Sequence, residues 1–183
     1  MERAYDIEDL KRLMERLRDP VYGCPWDLKQ TYQSIAPFTL EECLELIDAL
    51  EQSDYEHVEE ELGDLLFQVI FYAQLGKEEG RFDFDSVVSG ITAKLLRRHP
   101  HVFKDGELEG VIEDRTSMAT IKANWEKTKA EERADRSQTS VMDDVPATLG
   151  ALSRAQKLQK RAATLGFDFG RESEVLACLF GEY

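Results

Sequence analysis

The chain has 183 residues, enough for one compact domain or for one domain and a fragment of another. Apolar residues make up 42% and charged residues 33%, a balance that supports a sizeable core and excludes wholesale disorder. With 37 acidic against 23 basic residues the formal net charge is -14, which repels nucleic-acid phosphates and excludes duplex binding unless the basic residues cluster.

In chain order, helical periodicity dominates. Asp6 is expected as an N-cap, and Ile7, Leu10, Leu13, Met14 and Leu17 recur behind it at helix spacing. The stretch from Asp19 to Pro37 contains Pro20, Gly23, Pro25 and Pro37 and reads as an ordered loop holding Trp26. Thr39 with Glu42 is a capping-box pattern that opens a second helix to about Leu50, and Ser53 with Glu56 opens a third to about Glu79. Asp85 opens a fourth, which Pro100 ends. A fifth is expected over about Asp114 to Ala134. After a linker at 136–146, Pro146 starts a sixth that closes at Leu165-Gly166. No useful stretch alternates with period two, so the expected fold is all-α, a helical bundle.

Cys24, Cys43 and Cys178 form neither a pair nor a Cys-x-x-Cys motif, which fits reduced thiols in a cytosol. The N-terminal segment lacks the apolar run of a signal peptide. The longest apolar stretch, Leu65–Leu75, carries Gln68 and Gln74 and is too short to span a bilayer. A cytoplasmic chain with neither nucleic-acid nor membrane partners is expected.

Between Glu41 and Asp64 lie eleven acidic residues and no Lys or Arg. At 100° per residue, Glu41, Glu42, Glu45 and Asp48 share one arc of about 120°. Alone, that arc reads as a solvated acidic face, and Glu42 as half of a capping box. The third helix points elsewhere. From Leu62 to Leu75 it is apolar nearly all round, the pattern of a buried helix, and Glu61 and Asp64 at i and i+3 fall at or near that core. A buried carboxylate needs a basic partner, a proton or a metal ion. A second acidic helix facing it favours the metal, and oxygen-only ligands select magnesium or manganese over zinc. On the fourth helix, Lys94, Arg97 and Arg98 share an arc of about 100°. They either complement the helix C-terminal dipole or clamp phosphate oxygens. His99 and His101 lack zinc spacing.

These residues together carry a family resemblance. EECLE at 41–45 followed by ELGD at 61–64 resembles the EExxE…ExxD signature of the MazG-type, all-α nucleoside triphosphate pyrophosphohydrolases. GCPWDLKQT at 23–31, ELGDLLFQVIFYAQ at 61–74, KLLRRHPHVF at 94–103 and WEKTKAEER at 125–133 are also similar to that family, and the likeness runs from about Leu10 to Phe169. The resemblance implies hydrolysis of nucleoside triphosphates, ribo or deoxy, to monophosphate and pyrophosphate. It implies that Glu41, Glu42, Glu45, Glu61 and Asp64 coordinate magnesium bridging the triphosphate, and that Lys94, Arg97 and Arg98 contact phosphates. Trp26 and Lys29 lie in a loop that either reaches the nucleotide or buries Trp26 structurally.

Long members of this family carry two such domains. Here LGALSRAQKLQKRAATLGFDF echoes DLKRLMERLRD…GCPWD, yet no second EExxE or ExxD follows. The expected organisation is a MazG-like catalytic domain over 1–135, a linker over 136–146 and the start of a shortened second repeat over 147–183. An ordinary closing helix is the alternative for the last segment. Without a tandem partner, a homodimer or higher homo-oligomer is expected to cover the remaining apolar helix faces. Two other functions compete with hydrolysis. One is a non-catalytic dimerisation or nucleotide-sensing domain. The other is a di-metal oxidase bundle, which needs Glu-x-x-His pairs, and only Asp54 with His57 comes close.

Overall fold

The computed structural model describes residues 4–110, 117, 118, 120, 121, 124, 125, 128, 140–143 and 145–181. Among them the fold is all-α, with no strand. The helices are α1 (Ile7–Leu17), α2 (Tyr32–Gln52), α3 (Tyr55–Glu78), α4 (Phe84–Arg98), α5 (Ala151–Ala163) and α6 (Glu172–Phe180). The chain divides into two compact units, Met1–Arg97 and Arg98–Tyr183.

In the first unit, Asp6 caps α1 as its sequence position predicts. Its carboxylate accepts from the N–H groups of Glu8 and Asp9, and Asp9 returns the bond to the Asp6 N–H at 3.4 Å. The helix stops at Arg18, a residue only 8% exposed. The Arg18 guanidinium meets Glu78 of α3 with two bonds of 2.8 and 2.7 Å and donates to the Asp27 carbonyl. It also stands 5.4 Å from the Phe71 ring centroid. One side chain thus ties the end of α1, the following loop and α3 together.

The second helix departs from expectation. It begins at Tyr32, seven residues before Thr39, and its capping box is Thr31 with Ser34. The loop therefore ends near Thr31, and Pro37 lies inside α2. A proline there removes the bond to the Gln33 carbonyl, at an exposed position where water can replace it. Thr39 instead sends its hydroxyl to the Ile35 carbonyl at 3.2 Å and stands 2.9 Å from the Tyr72 hydroxyl of α3. Ser53 is the left-handed residue that closes α2 (φ 58°), and its neighbour Asp54 caps α3 by accepting from the His57 N–H. This two-residue connection turns the chain back, so α2 and α3 pack side by side as an antiparallel hairpin, with α1 against α3.

Met14, Ile35, Ile70, Phe71 and Leu75 form the buried core, with Leu10, Tyr32, Phe67, Tyr72 and Phe84 packed around it. Gly76 lies against the Phe82 ring, where a Cβ would come within 2.7 Å of ring carbons. The expectation that α3 is buried all round is corrected: Leu62, Leu66 and Val69 are exposed, because α1 and α2 cover only part of its circumference. The cap of α4 also moves, from Asp85 to Asp83, which exchanges bonds of 2.8 and 2.9 Å with Ser86.

In the second unit, the expected fifth helix falls largely outside the described residues. The helix expected from Pro146 begins at Ala151 instead, after a turn in which the Leu149 N–H donates to the Pro146 carbonyl. Its far end matches expectation more closely. Gly166 adopts φ 85°, and the N–H groups of Gly166 and Phe167 donate back to Ala163 and Ala162. Arg161 of α5 donates to the carbonyls of Val141 and Asp143, folding the 140–143 turn onto that helix. Beyond Arg171 the segment forms α6, which the sequence pattern leaves unassigned.

Candidate metal centre

The α2–α3 hairpin sets the geometry. The pairs Thr39/Tyr72 and Glu45/Glu61 step along it in opposite senses, so the middle of α2 faces the first turns of α3. One carboxylate oxygen each from Glu42, Glu45 and Glu61 lies within 4.8 Å of the others. The cluster sits between the core and the Ser53–Asp54 turn.

Its members differ in environment. Glu61 is 6% exposed, Glu42 is half-buried, and Glu41, Glu45 and Asp64 are exposed. The expectation that Asp64 lies at or near the core is therefore corrected: it stands nearly one turn along α3 and about 60° round from Glu61, and it is exposed. Asp64 and Glu41 still act on the cluster through their charge. The Glu42 carboxyl is raised above its ordinary value first by burial, then by the charges of Asp64, Glu45, Glu61 and Glu41. The two oxygens of Glu61 are also unequal. Oε1 stands 2.8 Å from His57 Nε2, whereas Oε2 is buried with no hydrogen-bond partner among the described residues.

A buried, unpartnered carboxylate oxygen among other carboxylates is a costly arrangement unless a cation completes it. The donor set is all oxygen, which fits a hard divalent ion such as magnesium or manganese rather than zinc. The residues present fit such an ion.

The remaining expected site residues are carried by other elements. Trp26, 53% exposed, packs edge-on against Phe38 of α2 with ring centroids 6.0 Å apart. Expectation left open whether its ring is buried, and the structure makes it accessible. Lys29 is exposed at the end of the short turn Asp27–Lys29. Lys94 and Arg98 of α4 are half-buried and Arg97 is exposed. Two contributors escape sequence reasoning. Phe38 is invisible because it falls between the expected loop, which ends at Pro37, and the expected helix start at Thr39. His57 stands four residues before Glu61, a spacing that a helical wheel brings together.

Residues 30–103 match the model of the MazG nucleotide pyrophosphohydrolase domain. The chain is 53% identical over 163 residues to the nucleoside triphosphate pyrophosphohydrolase of Escherichia coli (strain K12), covering 89% of this chain and 59% of that protein. It is 40% identical over 163 residues to the nucleoside triphosphate pyrophosphohydrolase/pyrophosphatase MazG of Thermotoga maritima, with the same coverage. It thus spans 59% of the length of both these relatives. Among solved structures, a mazG-related protein from Thermotoga maritima superposes with a TM-score of 0.55 at 23% identity, over 68% of this chain and 99% of that one, a likeness of fold. Both acidic half-motifs, Glu41–Glu45 and Glu61–Asp64, fall inside the matched segment, and the chain carries a MazG nucleotide pyrophosphohydrolase domain over residues 30–103.

Proposed function

We propose that this chain hydrolyses nucleoside triphosphates, ribo and deoxy, to the monophosphate and pyrophosphate in a magnesium-dependent reaction, with manganese as a substitute. The observation that carries this reading is Glu61, buried beside Glu42 and Glu45 with one oxygen that has no hydrogen-bond partner among the described residues. The names of the Escherichia coli and Thermotoga maritima relatives support the reaction class.

In this reading Glu42, Glu45 and Glu61, whose oxygens cluster, would hold the cation together with the exposed Glu41 and Asp64. A divalent ion bound there supplies Lewis-acid polarisation of the phosphate chain and a more acidic attacking water. Lys94, Arg97 and Arg98 offset charge on the leaving pyrophosphate. Trp26, half-exposed against Phe38, offers a ring on which a nucleobase stacks, and Lys29 follows it on the same short turn. The catalytic segment is 1–135, joined through 136–146 to the start of a second repeat at 147–183. The compartment we assign is cytoplasmic; among the described residues no helix is long and apolar enough to cross a membrane.

The test is direct. Incubation with ATP or dCTP and magnesium should yield pyrophosphate and the corresponding monophosphate by chromatography, and Glu61→Gln should abolish both with helix content unchanged. Orthophosphate and diphosphate as products would overturn the reaction class. A folded chain yielding neither product pair would instead support a non-catalytic dimerisation or nucleotide-sensing domain.

A further inference from the structure

The geometry points to His57 as a positioning residue that presents Glu61 to the cation, an inference that rests on the metal reading above. His57 lies in the first turn of α3, where its N–H donates to the Asp54 carboxylate at 3.3 Å. Its ring then reaches one turn forward, placing Nε2 2.8 Å from Glu61 Oε1. An imidazole carrying its proton on Nε2 donates that bond and so fixes the plane of the carboxylate. The other oxygen, Oε2, is left buried and without a hydrogen-bond partner among the described residues. Without His57 the Glu61 carboxylate loses this restraint on its terminal torsion, which is broad and roughly two-fold. The bond therefore selects the rotamer before the ion arrives, as outer-shell partners of metal ligands commonly do.

Alternative roles for His57 fit less well. Its side chain is half-exposed, so it does not fill the core, and its ring nitrogen is taken by Glu61 rather than by a group on another helix. It belongs to neither acidic half-motif, and its contribution depends on the fourth-residue spacing alone.

Manganese is the probe for the test, with affinity measured by calorimetry or by the loss of free-ion electron paramagnetic resonance signal. Helix content is followed by circular dichroism for each protein. His57→Ala should weaken manganese binding about 10–100-fold. His57→Gln, whose amide N–H reaches the same oxygen, should recover most of that loss. Equal affinity in wild type and His57→Ala overturns the inference. Tighter binding by His57→Ala also overturns it, since the imidazole would then compete with the ion for Glu61. A glutamine variant no better than alanine shows that the donated bond is not what matters. Wild-type protein without affinity for manganese removes the metal reading itself, a failure visible before any variant is made.

Discussion

Glu42 lies half-buried beside four other carboxylates, and its carboxyl is raised first by burial and then by Asp64, Glu45, Glu61 and Glu41. A raised carboxyl that is nonetheless ionised destabilises the cation-free fold. The penalty is absent below the ordinary glutamate value of 4.5 and sets in as pH rises through the folded value. Glu42→Gln should therefore raise the Tm of the cation-free protein near neutrality. Like charges one helical turn apart cost a few tenths of a kcal/mol per pair, so the gain is of the order of 1–2 °C. The gain should close as pH approaches 4.5, and added magnesium should raise the Tm of the variant less than that of wild type. A lower Tm for the cation-free variant would show that hydrogen bonding at Glu42 outweighs the repulsion. The inequality among the carboxylates is only half legible in the sequence. Glu61 stands out because the helix behind it is apolar, but that same pattern draws Asp64 inward, where the actual helix turns it to solvent.

At the scale of elements, the junction of α1, the Asp19–Gln30 loop and α3 depends on one guanidinium. Arg18→Met removes both bonds to Glu78 and the donor to the Asp27 carbonyl. Breaking a buried ion pair by removing one partner costs roughly 3–5 kcal/mol, and the partial exposure of Glu78 puts this case at about 3 kcal/mol. The hydrogen bond from Arg18 holds the Glu78 carboxyl below its ordinary value of 4.5. Its contribution to stability is thus fully present above pH 4.5 and lost as pH falls below it. Chemical denaturation at pH 7 and at pH 3 should show Arg18→Met well below wild type at the first and much closer at the second. An unchanged gap would assign the loss to packing over Phe71. The existence of these helices was legible, as was the start of α1, but the start of α2 was not. Thr31/Ser34 and Thr39/Glu42 both offer capping chemistry, and Pro37 favours the later start. The earlier one prevails because it lets Tyr32 stack on Tyr72, ring centroids 6.1 Å apart, and lets Ile35 enter the core.

Across the whole molecule, apolar side chains stay exposed at repeating intervals: Leu40, Leu44 and Ile47 on α2, Leu62, Leu66 and Val69 on α3, and Val87, Ile91 and Leu95 on α4. Each row has helical spacing, and Leu44 keeps 56% of its surface accessible. We propose that a second copy of the chain covers these rows, because rows of apolar side chains left in water favour association. Light scattering should then give a particle mass at least twice 21.0 kDa, and Leu66→Glu should reduce it towards 21.0 kDa with helix content retained. A wild-type monomer at micromolar concentration would remove the proposal. The unpartnered oxygen of Glu61 has a consequence of its own for the lifetime of the protein. An ion that binds only the folded state adds stability in proportion to the logarithm of its free concentration. Divalent-ion supply would thereby govern how often the hairpin opens to a protease. The same carboxylates that prepare the chain for its substrate would mark it for destruction when the ion is scarce.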